Sequence, residues 1–256
     1  MIDARAVIHP DAKIDPSAKI GPFAVIGADV EIGPETEIDA HAVIEGPTRI
    51  GTANHIYSFA SIGGDPQDKK YHGERTWLII GDHNTIREYT TINRGTVQGG
   101  GKTVIGDDNW IMAYVHVAHD CLIGSHTIAA NGSALAGHVV IDDYVGIGAF
   151  GKIYQFSRVG CHAFIGFDSG VTQDVPPYVT VSGTPAEPHG INSEGLRRRG
   201  FTPAQMRIIK ESYRILYRRN LMLEEALHQL QVLAKENPEL EPFIEVIRSS
   251  KRGIVR

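Results

Sequence analysis

The sequence predicts an all-β parallel β-helix, built of short strands in stacked coils, with an α-helical domain at its C-terminal end. Three observations predict this fold. An aliphatic residue recurs at every sixth position over most of the chain. The 256 residues include 28 glycines and 13 prolines but only 7% aromatic residues, and helical spacing begins only after the repeat ends. Many short strands joined by tight turns fit this composition better than a helical bundle does.

The six-residue repeat is the strongest signal in the chain. From Ile8 to Ile62 every sixth residue is isoleucine; the register resumes at Ile80 and, after a shift of one residue, at Ile105. Neither the helical period of 3.6 nor the strand period of 2 explains this spacing. Three six-residue segments make a coil of 18 residues with its aliphatic side chains inside, and such coils stack about 4.8 Å apart. The register accounts for about eight coils.

Two stretches interrupt the repeat, at residues 63–79 and 94–104. We predict that both are loops leaving the coil, and long loops on a rigid scaffold often carry function. The chain is therefore divided into a β-helix over residues 1–188 and a helical domain over residues 189–256.

The helical domain has clear start signals. Thr202, Pro203 and Gln205 form a capping-box pattern with proline at the first helical position. A second helix is predicted over residues 223–235 and a third after Pro238.

Charge and composition exclude several classes of protein. The net charge is −5, yet the segment from Gly190 onward carries 13 Lys and Arg against 8 Asp and Glu. An acidic body with a basic tail argues against nucleic-acid binding, which needs a broad basic face. Two cysteines, Cys121 and Cys161, are too few for a disulfide framework. With no apolar run of bilayer length and no secretory signal, we expect a cytoplasmic protein without membrane insertion.

Coil arithmetic predicts which side chains become neighbours. Because His119 and Gly137 are 18 residues apart, they should stack, and glycine leaves a backbone N–H open above the imidazole. A histidine beside a free N–H can support acyl transfer, in which the base removes a hydroxyl proton and the N–H stabilises an oxyanion. The two adjacent columns are His119, Gly137 and Gln155, and Asp120, His138 and Phe156.

Other interpretations of these histidines remain open. A histidine on the surface of a β-helix is commonly only a solvated side chain. Three histidines on neighbouring coils, here His116, His119 and His138, can also hold zinc, as in hexapeptide proteins that resemble carbonic anhydrases. A β-helix can also serve as a scaffold without catalysis.

Segments outside the repeat resemble a known family along essentially the whole chain. In order, these segments are QDKKYHGE (67–74), NRGTVQGGG (93–101), HVAHDCLIG (116–124), AGHV (136–139), QDVPPYV (173–179) and INSEGLRRRGF (191–201). The chain resembles the UDP-N-acetylglucosamine 3-O-acyltransferases, hexapeptide-repeat enzymes with a left-handed parallel β-helix. They catalyse the first step of lipid A biosynthesis, transferring a (3R)-3-hydroxyacyl chain from acyl carrier protein.

The resemblance implies roles for particular residues. His119 matches the general base, Asp120 the carboxylate that orients it, and the N–H of Gly137 the oxyanion donor. Residues that match the sugar and pyrophosphate contacts are Gln67, Asp68, Lys70, His116, His138 and Gln155. Those that match the uridine and phosphate contacts are Asn192, Glu194, Arg198 and Arg199.

Three positions depart from the commonest family pattern. Asn93 and Tyr154 each stand where the family usually has histidine, which leaves open an acceptor bearing a 3-amino group in place of the hydroxyl. Phe167 stands where long-chain members have glycine in the region that measures the acyl chain. A bulky ring there predicts a preference for chains of about ten carbons over about fourteen.

The resemblance also implies the partners. It implies a homotrimer with sites between subunits, and no metal or bound cofactor, because the acyl donor carries its own activated thioester. Basic residues following the arginine run are predicted to dock the acidic carrier protein; they are Arg207, Lys210, Arg214, Arg218 and Arg219.

Overall fold

The computed structural model describes residues 1–256 and consists of 27 short strands, numbered β1 to β27, and four α-helices. The strands form three sheets that are the faces of a left-handed triangular prism. Up to β25, successive strands belong to successive faces, so each coil contributes one strand to each sheet, and Val7 pairs with Val25 and Val25 with Val43.

The strands are distributed over the three faces as follows. Sheet I contains β1 (Val7–Ile8), β4 (Val25–Ile26), β7 (Val43–Ile44), β10 (Ser61–Gly64), β13 (Thr91–Asn93), β16 (His116–Val117), β19 (Ala134–Leu135), β22 (Lys152–Ile153) and β25 (Gly170–Val171). Sheet II contains β2 (Lys13–Ile14), β5 (Val30–Ile32), β8 (Thr48–Ile50), β11 (Trp77–Ile80), β14 (Lys102–Ile105), β17 (Leu122–Ile123), β20 (Val140–Ile141) and β23 (Arg158–Val159). Sheet III contains β3 (Lys19–Ile20), β6 (Glu37–Ile38), β9 (His55–Ile56), β12 (Thr85–Ile86), β15 (Trp110–Ile111), β18 (Ile128–Ala129), β21 (Gly146–Ile147), β24 (Phe164–Ile165), β26 (Val179–Ser182) and β27 (Glu187–Ile191).

The aliphatic register forms the core of the prism, as predicted. Ile44, Ile56 and Ile62 are fully buried, and the register stays buried through Val171, which is 1% exposed. Ile8 and Ile14 are only partly buried because no coil covers the N-terminal end. Each fully buried isoleucine contributes about 1.5–3 kcal/mol of burial free energy.

Polar side chains inside the turns support the stacking. Asn54 Oδ1 accepts hydrogen bonds from the backbone N–H and the side-chain amide of Asn84. Asn84 Oδ1 in turn accepts from the N–H of Asn109, and Asn109 Oδ1 from the N–H and hydroxyl of Thr127. This ladder satisfies buried backbone donors at the edge between sheets II and III.

The two interruptions of the repeat leave the coil as loops that are shorter than the predicted ranges 63–79 and 94–104, because β10 continues to Gly64, β11 begins at Trp77 and β14 begins at Lys102. The first lies between β10 and β11, and the second, which includes a 3₁₀ helix at Val97–Gly99, lies between β13 and β14. Both extend beside sheet I, on the side of the prism that bears His119.

The C-terminal segment begins with an antiparallel hairpin and continues as helices. β26 and β27 pair antiparallel, and β27 (Glu187–Ile191) continues past residue 188, so the predicted boundary at 188 falls inside a strand of sheet III and the helices begin only at Ser193. The helices are α1 (Ser193–Arg198), α2 (Pro203–Tyr217), α3 (Leu223–Ala234), a 3₁₀ turn (Pro238–Leu240) and α4 (Glu241–Ser249). The predicted capping box is present at Thr202 and Gln205. The tail then returns to the prism, where Ile254 bridges to Asp174.

None of these helices combines the length and the apolar composition that a membrane crossing requires.

Candidate active site

A buried histidine–carboxylate pair lies at the edge between sheets I and II. His119 and Asp120 occupy the turn after β16, and His119 Nδ1 is 2.8 Å from Asp120 Oδ2. Both residues are buried, and the Asp120 side chain has no exposed surface. A carboxylate bonded to Nδ1 fixes the imidazole tautomer and leaves Nε2 available for a substrate.

The second loop holds the carboxylate of this pair. The backbone N–H of Thr96 donates to Asp120 Oδ1, and the Thr96 hydroxyl donates to Oδ2, each over 2.7 Å. The N–H of Asp120 donates to the hydroxyl oxygen of Thr103 at 2.8 Å. Both ends of the loop therefore fix Asp120. Sequence reasoning missed Thr96 and Thr103, and the only available signal was the threonine in the NRGT segment.

Gly137 lies directly over the imidazole of His119, as the column arithmetic predicts. Its N–H makes no hydrogen bond within the chain. The equivalent turn residue of other coils, such as Ala149, also leaves its N–H free, so the absence of a side chain distinguishes this position. The site therefore combines an imidazole with a free backbone donor in the same column, and a backbone N–H is the type of group that stabilises an oxyanion.

His138 is a second imidazole close to the same carboxylate. Its Nε2 lies 3.6 Å from Asp120 Oδ2, and its ring stacks on Phe156 at 4.5 Å. Burial lowers the pKa of His138 below its ordinary value, although Asp120 opposes that shift. His119, Asp120 and His138 place possible metal-ligating atoms within 4.8 Å of one another.

His116 is held apart from that cluster. Its Nδ1 is hydrogen-bonded to the hydroxyl of Thr91 at 2.7 Å, so its other nitrogen is available to the groove. Burial, and then the proximity of His119, lower the pKa of His116. A neutral imidazole here can donate or accept a hydrogen bond without adding charge beside His119.

These residues open into a groove of about 780 Å³ on sheet I. The groove contains most of the predicted sugar-site residues. Its lining includes Gln67, Asp68, Lys70, His116, His119, Gly137 and Gln155, together with outward side chains of sheet I.

Buried contacts pin the first loop, which supplies three of these residues. Arg94 is 6% exposed, and its guanidinium contacts the Asp65 carboxylate and the Tyr71 hydroxyl. The Asn93 amide donates to the Asp65 carbonyl at 2.8 Å. Asn93 therefore anchors the loop that carries Gln67.

Four further predicted binding residues lie in a different place, whereas His138 and Phe167 line neither groove. Asn192, Glu194, Arg198 and Arg199 line a groove of about 680 Å³ on sheet III, beside α1. The structure therefore separates the predicted nucleotide residues into two groups on two faces of the prism.

Arg199 is the member of this second group with an unmet bonding capacity. Asn192 caps α1 by accepting from the Gly195 N–H, and Glu194 binds Arg198 Nε at 2.8 Å. Arg199 lies 5.1 Å over the Tyr144 ring, and its buried Nη1 has no partner. Arg199 as a whole lines the sheet III groove, where a guanidinium can donate to an anionic ligand.

Phe167 does not line either groove within one chain. It lies at the edge between sheets III and I, is 70% exposed, and packs edge-on against Phe150 at 5.9 Å. Tyr154 lines the sheet I groove, with the Arg252 guanidinium 5.0 Å above its ring.

Two family models match the chain. One, described as bacterial transferase hexapeptide (six repeats), matches residues 102–137. The other, described as UDP-N-acetylglucosamine O-acyltransferase domain 2, matches residues 174–255. A parallel β-helix with a histidine–carboxylate pair beside an open backbone N–H defines the class as a hexapeptide-repeat acyltransferase.

Relatives agree with this class along nearly the whole chain. An acyl-(acyl-carrier-protein)–UDP-N-acetylglucosamine O-acyltransferase of Verminephrobacter eiseniae is 52% identical over 218 residues, which are 84% of this chain and 83% of that protein. The crystal structure of the Francisella novicida UDP-N-acetylglucosamine acyltransferase is 50% identical and covers all of this chain and 94% of its own, with a TM-score of 0.99. Acinetobacter baumannii LpxA is 42% identical, with a TM-score of 0.97 and coverage of 100% and 99%. The chain belongs to the LpxA family of acyl-(acyl-carrier-protein)–UDP-N-acetylglucosamine O-acyltransferases.

Proposed function

We propose that this protein transfers a (3R)-3-hydroxyacyl chain from acyl carrier protein to the 3-hydroxyl of UDP-N-acetylglucosamine, the first step of lipid A biosynthesis, in the cytoplasm. The observation that carries the mechanism is the 2.8 Å contact between His119 Nδ1 and the buried carboxylate of Asp120. This contact leaves His119 Nε2 as the base.

The reaction proceeds by addition and elimination. His119 Nε2 removes the proton of the sugar hydroxyl while that oxygen attacks the thioester carbonyl. The N–H of Gly137 donates to the oxyanion of the tetrahedral intermediate. The intermediate collapses, the carbon–sulfur bond breaks, and the imidazolium returns its proton to the departing thiolate. Asp120, which is bonded to His119 Nδ1, stabilises the imidazolium.

A hydroxyl acceptor is favoured over the 3-amino analogue. The relatives are named as O-acyltransferases. Asn93 is 7% exposed, and its amide donates to the Asp65 carbonyl. Asparagine at this position, where the family usually has histidine, therefore serves to anchor the first loop. Tyr154 is exposed on the sheet I groove.

The test is acyl transfer from 3-hydroxyacyl carrier proteins to the sugar nucleotide and to its 3-amino analogue. We expect ester formation, and the His119→Ala change should reduce kcat by roughly 10³-fold. The control is His83→Asn at an exposed turn on another edge, which should keep wild-type activity. Amide formation only, or full activity of His119→Ala, would contradict the proposal.

The separation of the two grooves supports a site shared between subunits. The catalytic groove lies on sheet I and the Arg199 groove on sheet III. Two faces of a triangular prism point in different directions, so one extended ligand reaches both only if a second copy brings its sheet III against sheet I. We propose a homotrimer, in which each face meets the complementary face of a neighbour.

Subunit mixing tests this arrangement. Arg199→Ala should raise KM for the sugar nucleotide by about 10-fold to 100-fold, because a charged hydrogen bond is lost. Arg197→Ala is the control, since Arg197 does not line the groove. At sugar-nucleotide concentrations well below KM, where chains carrying Arg199→Ala alone are nearly inactive, a mixture with chains carrying His119→Ala should recover about a quarter of wild-type activity, because one interface in four combines the two intact halves. No recovery in mixed oligomers would contradict a shared site.

A further inference from the structure

We propose that Thr96 is a positioning residue for the catalytic histidine, acting through Asp120. The inference rests on the proposed role of His119. Thr96 is 1% exposed and does not line either groove, so it has no route to the substrates except through its neighbours.

The argument begins with the oxygen that Thr96 and His119 share. The Thr96 hydroxyl donates to Asp120 Oδ2 at 2.7 Å, and His119 Nδ1 is 2.8 Å from the same oxygen. The backbone N–H of Thr96 holds the other oxygen at 2.7 Å. One residue therefore fixes both oxygens of the carboxylate, which cannot rotate without losing at least one bond.

The position of His138 explains why the orientation of the Asp120 carboxylate matters. Its Nε2 lies 3.6 Å from Asp120 Oδ2, so the carboxylate is between two imidazoles. A carboxylate free to rotate could bond to His138 instead of His119. His119 would then lose the partner that selects the tautomer with a proton on Nδ1.

The loop itself is built around the same hydroxyl. Thr96 Oγ1 accepts from the Gly99 N–H at 3.1 Å and so caps the 3₁₀ turn. That turn encloses the carboxylate closely, because a β-carbon on Gly99 would lie 2.0 Å from Asp120 Cγ. A purely structural role of Thr96 in this turn must therefore be separated from its effect on His119.

Three variants test the hydroxyl, and hydrogen exchange of the Gly99 amide in each of them reports separately whether the 3₁₀ turn is intact, because that amide also donates to the Thr96 carbonyl. Thr96→Val removes the hydroxyl at nearly constant shape, Thr96→Ser retains it, and Val97→Ala changes an exposed neighbour in the same turn. We expect Thr96→Val to lower kcat by about 10-fold to 100-fold, the range seen when the partner behind a metal-bound histidine is lost. KM for both substrates should stay unchanged, and Thr96→Ser and Val97→Ala should resemble wild type.

A spectroscopic measurement decides the question independently of activity. In ¹⁵N-labelled full-length protein, the ring-nitrogen shifts of His119 report its tautomer. Wild type and Thr96→Ser should show a single tautomer protonated at Nδ1, and Thr96→Val a mixture. If Thr96→Val does not fold, Thr96→Ala removes the same hydroxyl with less bulk and is read in the same way.

The outcomes distinguish failure of the proposed role of Thr96 from failure of His119 as the general base. An unchanged His119 tautomer in the variant lacking the hydroxyl overturns the role of Thr96, whatever happens to kcat. An equal fall in kcat for Thr96→Ser also overturns it. Full activity of His119→Ala refutes the general base instead, and the tautomer measurement then still decides whether Thr96 orients the ring.

Discussion

The backbone of Gly137 and the imidazole of His119 face each other in one column of the prism, with no side chain between them. A β-carbon on Gly137 would lie 2.7 Å from Cε1 and 2.9 Å from Nε2 of that ring. Both distances are shorter than a normal van der Waals contact. Any side chain at position 137 would therefore collide with the ring, and only glycine leaves Nε2 unobstructed.

Gly137→Ala should therefore reduce kcat/KM by at least about 10²-fold, because the methyl group displaces the imidazole and obstructs the oxyanion position. The measurement is steady-state acyl transfer, with circular dichroism to verify the fold. Gly27→Ala is the matched control at a turn remote from the grooves, where a β-carbon would be 3.3 Å from its nearest neighbour. Wild-type activity of the Gly137 variant would show that the N–H and the ring do not act together.

A basic surface on α2 should dock the carrier protein. Arg214 and Arg219 both contact Glu211, whereas Arg207 and Lys210 are exposed and make no ion pair. Reversing the latter two with glutamate should raise KM for acyl carrier protein by about 10-fold or more in low salt, with a smaller effect at high salt. KM for the sugar nucleotide is the internal control. An unchanged KM for the carrier protein would exclude this surface.

Phe167 should limit the length of the acyl chain. It is 70% exposed in one chain, so it can meet an acyl chain only where a neighbouring subunit closes the space around it. Phe167→Gly should shift preference from chains of about ten carbons towards about fourteen. The check is the ratio of kcat/KM for the two donors. Phe150→Leu, at the adjoining ring, serves as the comparison, and an unchanged ratio in Phe167→Gly would contradict the assignment.

Acid should destabilise the protein through His162. Its ring stacks between Tyr144 and Tyr178, at 4.7 and 5.7 Å, and burial, with a contribution from Arg199, lowers its pKa from 6.5 to about 4. Between these values the unfolded chain binds a proton that the folded chain does not, so stability falls as pH falls through this window. Thermal unfolding of wild type and His162→Asn between pH 7 and 4.5 measures the effect.

The His162→Asn variant should lose less stability over that pH range than wild type. Asparagine suits the position because residue 162 has a φ of 59°, in the left-handed region. His83→Asn, at an exposed turn, should keep the wild-type pH dependence. Equal pH dependence in all three proteins would show that His162 does not control acid stability.

Periodicity explains what the sequence could predict about the fold. Each isoleucine of the register must point inward for the coils to close, so the spacing alone predicts the coils and places Gly137 over His119. The same arithmetic correctly places His138 over Phe156. The start of α2 at Thr202 can also be predicted from the sequence, because its capping box is a local signal.

The parts of the site that depend on the loops are harder to predict from the sequence. Thr96 and Arg94 lie outside the repeat, and nothing in their spacing indicates that one binds Asp120 and the other Asp65. Likewise, coil arithmetic does not reveal that Arg199 and His119 open onto different faces. That separation depends on how α1 packs against sheet III.

The stacked coils also make the length of the molecule modular. Every column advances by 18 residues, and the grooves take their residues from Gln67 onward. Removing residues 27–44 would join Ile26 to Glu45, the equivalent position one coil later, and all later side chains would keep their faces. Removing six residues would instead rotate every later strand onto the next face. The β-helix can therefore lose or gain whole coils of 18 residues on the N-terminal side of the site without changing the site. A change of six residues would move the site residues onto different faces.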